Sequence, residues 1–213
     1  MRGLWRLAQW RNRALCEWQL YRANRSVRSF DKAMHERAVL PPQVLGLASE
    51  LIVSLTSYPP RFPTLGKTLR SLLMQSVRPE RTILWIAHDD LAGLPREVTD
   101  LVEHGLEIRA CDDLLSYKKL VPALADYPQA TIVTADDDVF YDADWLRRLV
   151  DTSRRHPGEI IAQRAHMAHI DERGAMMPYQ TWDMVTSQPG DIRPCGRLFP
   201  TGAGGILYPP GSL

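Results

Sequence analysis

The sequence predicts an α/β domain built on a mostly parallel sheet. From about residue 49 onward, short apolar runs alternate with segments of helical period. The clearest run, Thr131-Ile132-Val133-Thr134, is β-branched and apolar throughout, as a strand buried on both faces should be. It stops at three consecutive carboxylates, Asp136, Asp137 and Asp138, and open α/β sheets bind ligands at the carboxyl ends of their strands.

Residues 50–56 (ELIVSLT) read as the first strand, followed by a loop containing Ser57, Tyr58, Pro59 and Pro60. Thr64 is a candidate N-cap for a helix over residues 64–75, with Leu65, Leu69, Leu72 and Leu73 on one face. Gly66-Lys67-Thr68 imitates the end of a phosphate-binding P-loop. The first glycine of that motif would fall at Arg61, however, and the triplet lies inside the helical period. Residues 81–87 form a second strand ending in His88, Asp89 and Asp90, residues 95–104 a helix, and residues 106–110 a third, short strand. A helix over 113–125 carries Lys118 and Lys119. Adjacent residues on an α-helix point about 100° apart, so one of the two should turn inward.

The carboxylate run comes fourth. Three neighbouring carboxylates repel one another and call for positive compensation, which a hard divalent cation with oxygen ligands supplies. The competing reading is simple helix capping, but the next helix starts near Asp142 or Asp144, before Trp145. A calcium-hand loop does not fit, because Phe140, Tyr141 and Arg147 stand where a ligand, Gly and Glu are needed. Residues 159–167 are a further strand candidate. An irregular stretch with Tyr179, Trp182 and Asp183 follows, then the glycine-rich loop Thr201-Gly202-Ala203-Gly204-Gly205.

The chain's 26 basic and 25 acidic residues give no global field for nucleic acid. The charge is uneven: nine Arg or Lys fall within residues 1–40, against Glu17, Asp31 and Glu36. Leu, Trp and Arg recur there near a helical period, which suits either an amphipathic helix on an anionic membrane surface or a helix docked on protein. Pro41 and Pro42 end that segment, giving a basic helical extension over 1–48 and a main domain over 49–213. Cys16, Cys111 and Cys195 make no CxxC pair and fit a reducing cytoplasm. No run approaches the roughly 18 apolar residues of a membrane span.

The strand end Ser54-Leu55-Thr56-Ser57-Tyr58, the helix with Leu65 and Leu69, the paired lysines, Asp136–Asp138 and the glycine-rich loop come in a telling order. Over residues 50–213 that order resembles a nucleotide-sugar-dependent glycosyltransferase of the GT-A (Rossmann-like) fold, near the family-two-like bacterial enzymes. The resemblance implies Mn²⁺ or Mg²⁺ on Asp138 bridging a donor diphosphate, with Asp136 near ribose or metal and Asp137 near the donor sugar. It places Thr56, Ser57 and Tyr58 at the nucleoside and Asp89 at a uracil, hence a UDP-sugar. It places Lys118 or Lys119 at phosphate, and Gly202, Gly204 and Gly205 against donor or acceptor sugar. His166 becomes a further metal ligand or a structural histidine. Tyr179 and Trp182 stack on an acceptor glycan or pack in a core. Inverting members carry a catalytic carboxylate beyond the glycine-rich loop, where this sequence stops at Leu213; Asp183 and Asp191 are poor substitutes. The catalytic base is therefore open, and a domain incomplete at its carboxyl end is expected. The implied setting is glycan synthesis in the cytoplasm, at the inner membrane face if residues 1–40 bind lipid. A nucleotidyltransferase and an inactive scaffold recruited by residues 1–40 are the alternatives.

Overall fold

The computed structural model describes residues 30, 46–183 and 197–213. Apart from residue 30, the expected basic helix within residues 1–40 lies outside them. The chain divides into two compact units, Met1–Pro42 and Gln43–Leu213, and the second holds the sheet.

Eight strands occur among the described residues: β1 Leu51–Thr56, β2 Arg81–Ala87, β3 Leu106–Cys111, β4 Thr131–Thr134, β5 Ile161–Ala162, β6 Ala165–Met167, β7 Leu198–Pro200 and β8 Ile206–Tyr208. Six make a sheet in the order β3-β2-β1-β4-β8-β5. The first four of that order are parallel; β8 runs antiparallel to β4 and to β5. Val53 at the centre of β1 faces Thr82 on one neighbour and Val133 on the other. Four apolar side chains of β1, Leu51, Ile52, Val53 and Leu55, are wholly buried, as a central strand covered on both faces requires.

Helices α1 Phe62–Leu73, α2 Arg96–Thr99, α3 Val121–Asp126 and α4 Trp145–Arg155 flank this sheet, α2 running on as a 3₁₀ turn over Asp100–His104. α1 buries Leu65, Leu69, Leu72 and Leu73. It begins ahead of Thr64, because Pro63 fits the first turn, where its missing N–H costs nothing. α4 buries Leu146, Leu149 and Val150 and leaves Arg147, Arg148, Arg154 and Arg155 outward.

Three expectations are corrected. Residues 113–125 are not one helix but a 3₁₀ turn, Leu115–Lys119, followed by α3. Pro122 cannot donate within a helix interior, so it resets the start of α3. Residues 159–167 are not one strand: β5 joins the main sheet, whereas β6 pairs with β7 in a separate two-stranded ribbon. Between them the Gln163 N–H donates to Gly205 O, and the Gln163 amide donates to Trp145 O at 2.8 Å. Residues 206–208, for which the sequence predicts no strand, form the fifth strand across the sheet. Three apolar residues between glycines and prolines are too few to announce a strand by pattern.

Trp145 locks the glycine-rich segment to this sheet. Its indole Nε1 donates to Gly204 O at 2.8 Å. Gly205 adopts φ 84° and ψ 144°, a region essentially reserved for glycine, and a Cβ there would sit 2.5 Å from the Trp145 ring. Gly205→Ala should therefore combine backbone strain with overpacking and cost about 2–5 kcal/mol, read as a lower midpoint in urea unfolding.

Candidate active-site cleft

The loops that follow β1, β2, β3 and β4 meet in a cleft of about 370 Å³. Thr56, Ser57, Tyr58 and Pro59 come from the first loop and Asp90 from the second. Asp113, Leu115, Ser116, Lys118 and Lys119 come from the third, and Ala135, Asp136 and Asp137 from the fourth.

The three consecutive carboxylates do not converge. Lys119 Nζ donates to Asp136 Oδ1 at 2.6 Å, Ser57 Oγ donates to Asp137 Oδ2 at 2.6 Å, and Arg61 Nη1 donates to Asp138 Oδ2 at 2.7 Å. Each therefore has its own hydrogen-bonding partner, which divides the repulsion that crowding would create. Asp136 and Asp137 face the cleft; Asp138 is turned to Arg61 in an exposed pair, of a kind that solvent screens and that adds little to stability.

Buried polar groups hold the acidic segment in place. On α1, Thr68 Oγ1 donates to Asp137 O at 2.9 Å, and Ser71 Oγ accepts the Tyr141 N–H at 3.1 Å. Gln75, just past α1, donates to Asp142 O at 2.8 Å and accepts the Leu146 N–H at 2.9 Å. Tyr141 Oη accepts the Asp136 N–H at 2.8 Å, and burial pushes the Tyr141 phenol well up from its ordinary pKa. The third loop is held from the core: Trp85 Nε1 donates to Ser54 Oγ at 3.0 Å, and Ser54 Oγ donates to Lys119 O at 2.6 Å.

Both lysines reach the cleft, contrary to the expectation that one would. The 3₁₀ turn steps about 120° per residue, so the two side chains reach the cleft on different headings, Lys118 against Asp113 and Lys119 against Asp136. Lys118 is buried and donates to Asp113 Oδ1 at 2.7 Å. That ammonium holds the Asp113 carboxyl below the usual carboxylate range. Four carboxylates (Asp90, Asp113, Asp136, Asp137) against two ammoniums leave the walls with two net negative charges.

No protein-family model matches the chain, and no curated protein matches it either. Among solved structures, one that resembles it is the mannosyltransferase PcManGT from Pyrobaculum calidifontis, in complex with GDP-Man and Mn²⁺. The two are 13% identical, with a TM-score of 0.45 over 64% of this chain and 42% of that one. This chain thus spans less than half of that neighbour's length. A likeness of that size bears on neither substrate nor reaction.

The remaining expected site residues fall elsewhere. Asp89 lies in the turn His88–Gly93, next to Asp90, which lines the cleft in its stead. Gly204 and Gly205 pack on Arg164 and Trp145, away from the cleft walls. His166 is buried in the ribbon, opposite Phe199 and edge-on to Tyr179, and neither ring nitrogen has a partner among the described residues. Tyr179, Trp182 and Phe199 continue that aromatic set. Gly202 is the glycine closest to the acidic segment: a Cβ there would sit 2.9 Å from Asp136 Oδ1 and 3.1 Å from Lys119 Nζ. Residues 184–196, with Asp191 and Cys195, lie outside the described residues.

Sequence reasoning passed over Arg61, Asp90 and Asp113. The signal available for Arg61 was its place in the first loop, among the residues expected at the nucleoside. Asp113 stands five positions ahead of Lys118, which is neither of the helical pair spacings of three and four, so no local pattern announced the pair.

Among the described residues, no three His, Cys, Asp or Glu side chains come together to hold a metal ion. A cage built wholly by protein therefore does not fit. A Mg²⁺-type site, which takes one or two carboxylates and completes its shell with substrate phosphate and water, does fit Asp136 and Asp137 on the cleft wall.

Gln75→Leu should leave the Asp142 carbonyl and the Leu146 N–H without their side-chain partner. At about 1–3 kcal/mol per buried orphan, it should cost roughly 2–5 kcal/mol in chemical unfolding and loosen the loop that carries the acidic residues.

Proposed function

We propose that this chain is a metal-dependent glycosyltransferase, moving a sugar from a nucleoside-diphosphate donor, a UDP-sugar first among candidates, to a hydroxyl on a glycan acceptor. One observation carries the reading: a cleft at the carboxyl ends of four parallel strands sets two ammonium groups against a row of carboxylates.

Such walls make sense for an anion that arrives with a cation. A free nucleoside diphosphate would meet two net negative charges and be repelled. Asp136 and Asp137, which line the cleft, are the first choice to hold Mn²⁺ or Mg²⁺, in place of Asp138, which does not line it. When bound, the ion stabilises charge that develops on the departing diphosphate. Lys118 and Lys119 bind phosphate oxygens from the same side and lend positive charge to the leaving group. Thr56, Ser57 and Tyr58 line the nucleoside end, and Asp90 accepts from the base.

A nucleotidyltransferase is less well supported. It wants a glycine-rich, basic loop after the first strand, and this loop instead turns through Pro59–Arg61 as a short 3₁₀ helix. No helix among the described residues is long and apolar enough to cross a membrane. Cytoplasmic residence, with peripheral membrane contact through residues 1–40, remains part of the proposal.

Isothermal titration should show UDP, or GDP if the base preference differs, binding at least tenfold tighter with Mn²⁺ than without, a gain of about 1.4 kcal/mol or more. Asp136→Asn should remove most of that gain. Metal-independent affinity for every nucleoside diphosphate tested, or failure to release the diphosphate from any sugar nucleotide, would overturn the reading.

A further inference from the structure

The cleft contains an anion of its own, placed against its most deeply buried cation. Lys118 is 2% exposed, and an ammonium that far from water needs a counter-charge. Asp113 Oδ1 supplies it at 2.7 Å, yet the Asp113 side chain is itself 56% exposed. A buried cation has been paired with a carboxylate that keeps one side in solvent.

The same oxygen does a second job. It accepts the Leu115 N–H at 3.1 Å, closing a turn in which Leu115 adopts φ 53°. That left-handed conformation is disfavoured for a bulky L-residue, and it needs support from its surroundings. Packing offers little, because Leu115 is 74% exposed, with Leu114 and Tyr117 also in solvent. One carboxylate oxygen thus holds both a disfavoured backbone turn and the ammonium of Lys118.

We infer that Asp113 is a stand-in for a ligand phosphate at Lys118: a positioning residue that occupies the buried ammonium until an incoming phosphate oxygen takes its place. The inference rests on the reading that the cleft accepts a diphosphate, and adds how the site is kept before the ligand arrives. Exchange requires no net change of charge at Lys118, since one oxyanion replaces another. It releases the carboxylate toward solvent, where its hydration offsets the lost ion pair. Asp113 therefore sets the resting affinity for anions, and its departure frees the Leu115 turn on the cleft wall.

The test uses the full chain and inorganic pyrophosphate at fixed ionic strength and a fixed concentration of Mg²⁺. Asp113→Asn keeps an oxygen acceptor for the Leu115 N–H but removes the competing charge, so pyrophosphate should bind about tenfold tighter. Lys118→Met should abolish that gain when added to Asp113→Asn. A second measurement needs no variant: in the wild-type chain, saturating pyrophosphate should speed hydrogen exchange at the Leu115 amide, whose acceptor leaves. Unchanged or weaker pyrophosphate binding by a folded Asp113→Asn chain would overturn the inference. So would slowed or unaltered exchange at Leu115, or no pyrophosphate binding by either chain. Sugar-nucleotide turnover is read separately. Tighter pyrophosphate binding with no turnover sinks the transferase reading alone, and turnover without the tightening sinks the exchange alone.

Discussion

Three adjacent carboxylates at the end of a buried strand impose the constraint on which this site depends. Their mutual repulsion has to be met locally, and the fold meets it by sending each in a different direction. Lys119 comes from the loop after β3, Ser57 and Arg61 from the segment after β1. Those loops can reach only because β1 lies between β2 and β4, with β3 outside β2. The strand order and the charge distribution of the cleft are therefore one arrangement, not two.

Neutralising the carboxylates fixes their side chains; their backbone is fixed by α1. Thr68, Ser71 and Gln75 fall three and four residues apart, on one side of α1 and the turn beyond it, and between them bond the Asp137 and Asp142 carbonyls and the Tyr141 and Leu146 N–H groups. The apolar positions of α1 bury against the sheet while this polar row grips the acidic loop. On the opposite wall, the Trp85–Ser54–Lys119 relay passes from core to cleft through a single buried hydroxyl. An unmade bond in either set would leave a buried polar group without a partner, so both sets resist partial loosening.

The carboxyl-terminal segment completes the sheet rather than decorating it. β8 covers the exposed side of β4, which would otherwise present an open edge beside the acidic loop. Its approach is governed by Trp145, the first residue of α4, which stacks near Tyr141 and bonds to Gly204. The same helix start thus orders the acidic loop on one side and the glycine-rich segment on the other. Gly202 then passes close to Asp136 and Lys119, where no side chain would fit without displacing one of them.

The sequence by itself determined the α/β class, the first four strands to within a residue, the start of α4 beside Asp144, and the placing of carboxylates just past the end of β4. Those features follow from local apolar runs and from charge placed at strand ends, both legible one residue at a time. Tertiary structure decided the rest. Whether three neighbouring aspartates share one cation or take three partners depends on which distant loops arrive beside them. Whether two adjacent lysines both reach a cleft depends on carboxylates from two different loops, Asp113 and Asp136, lying where each can be met. Whether Ile206–Tyr208 is loop or strand depends on β4 having an open edge to fill. Each outcome is set by contacts between residues far apart in the chain, and no local pattern records those.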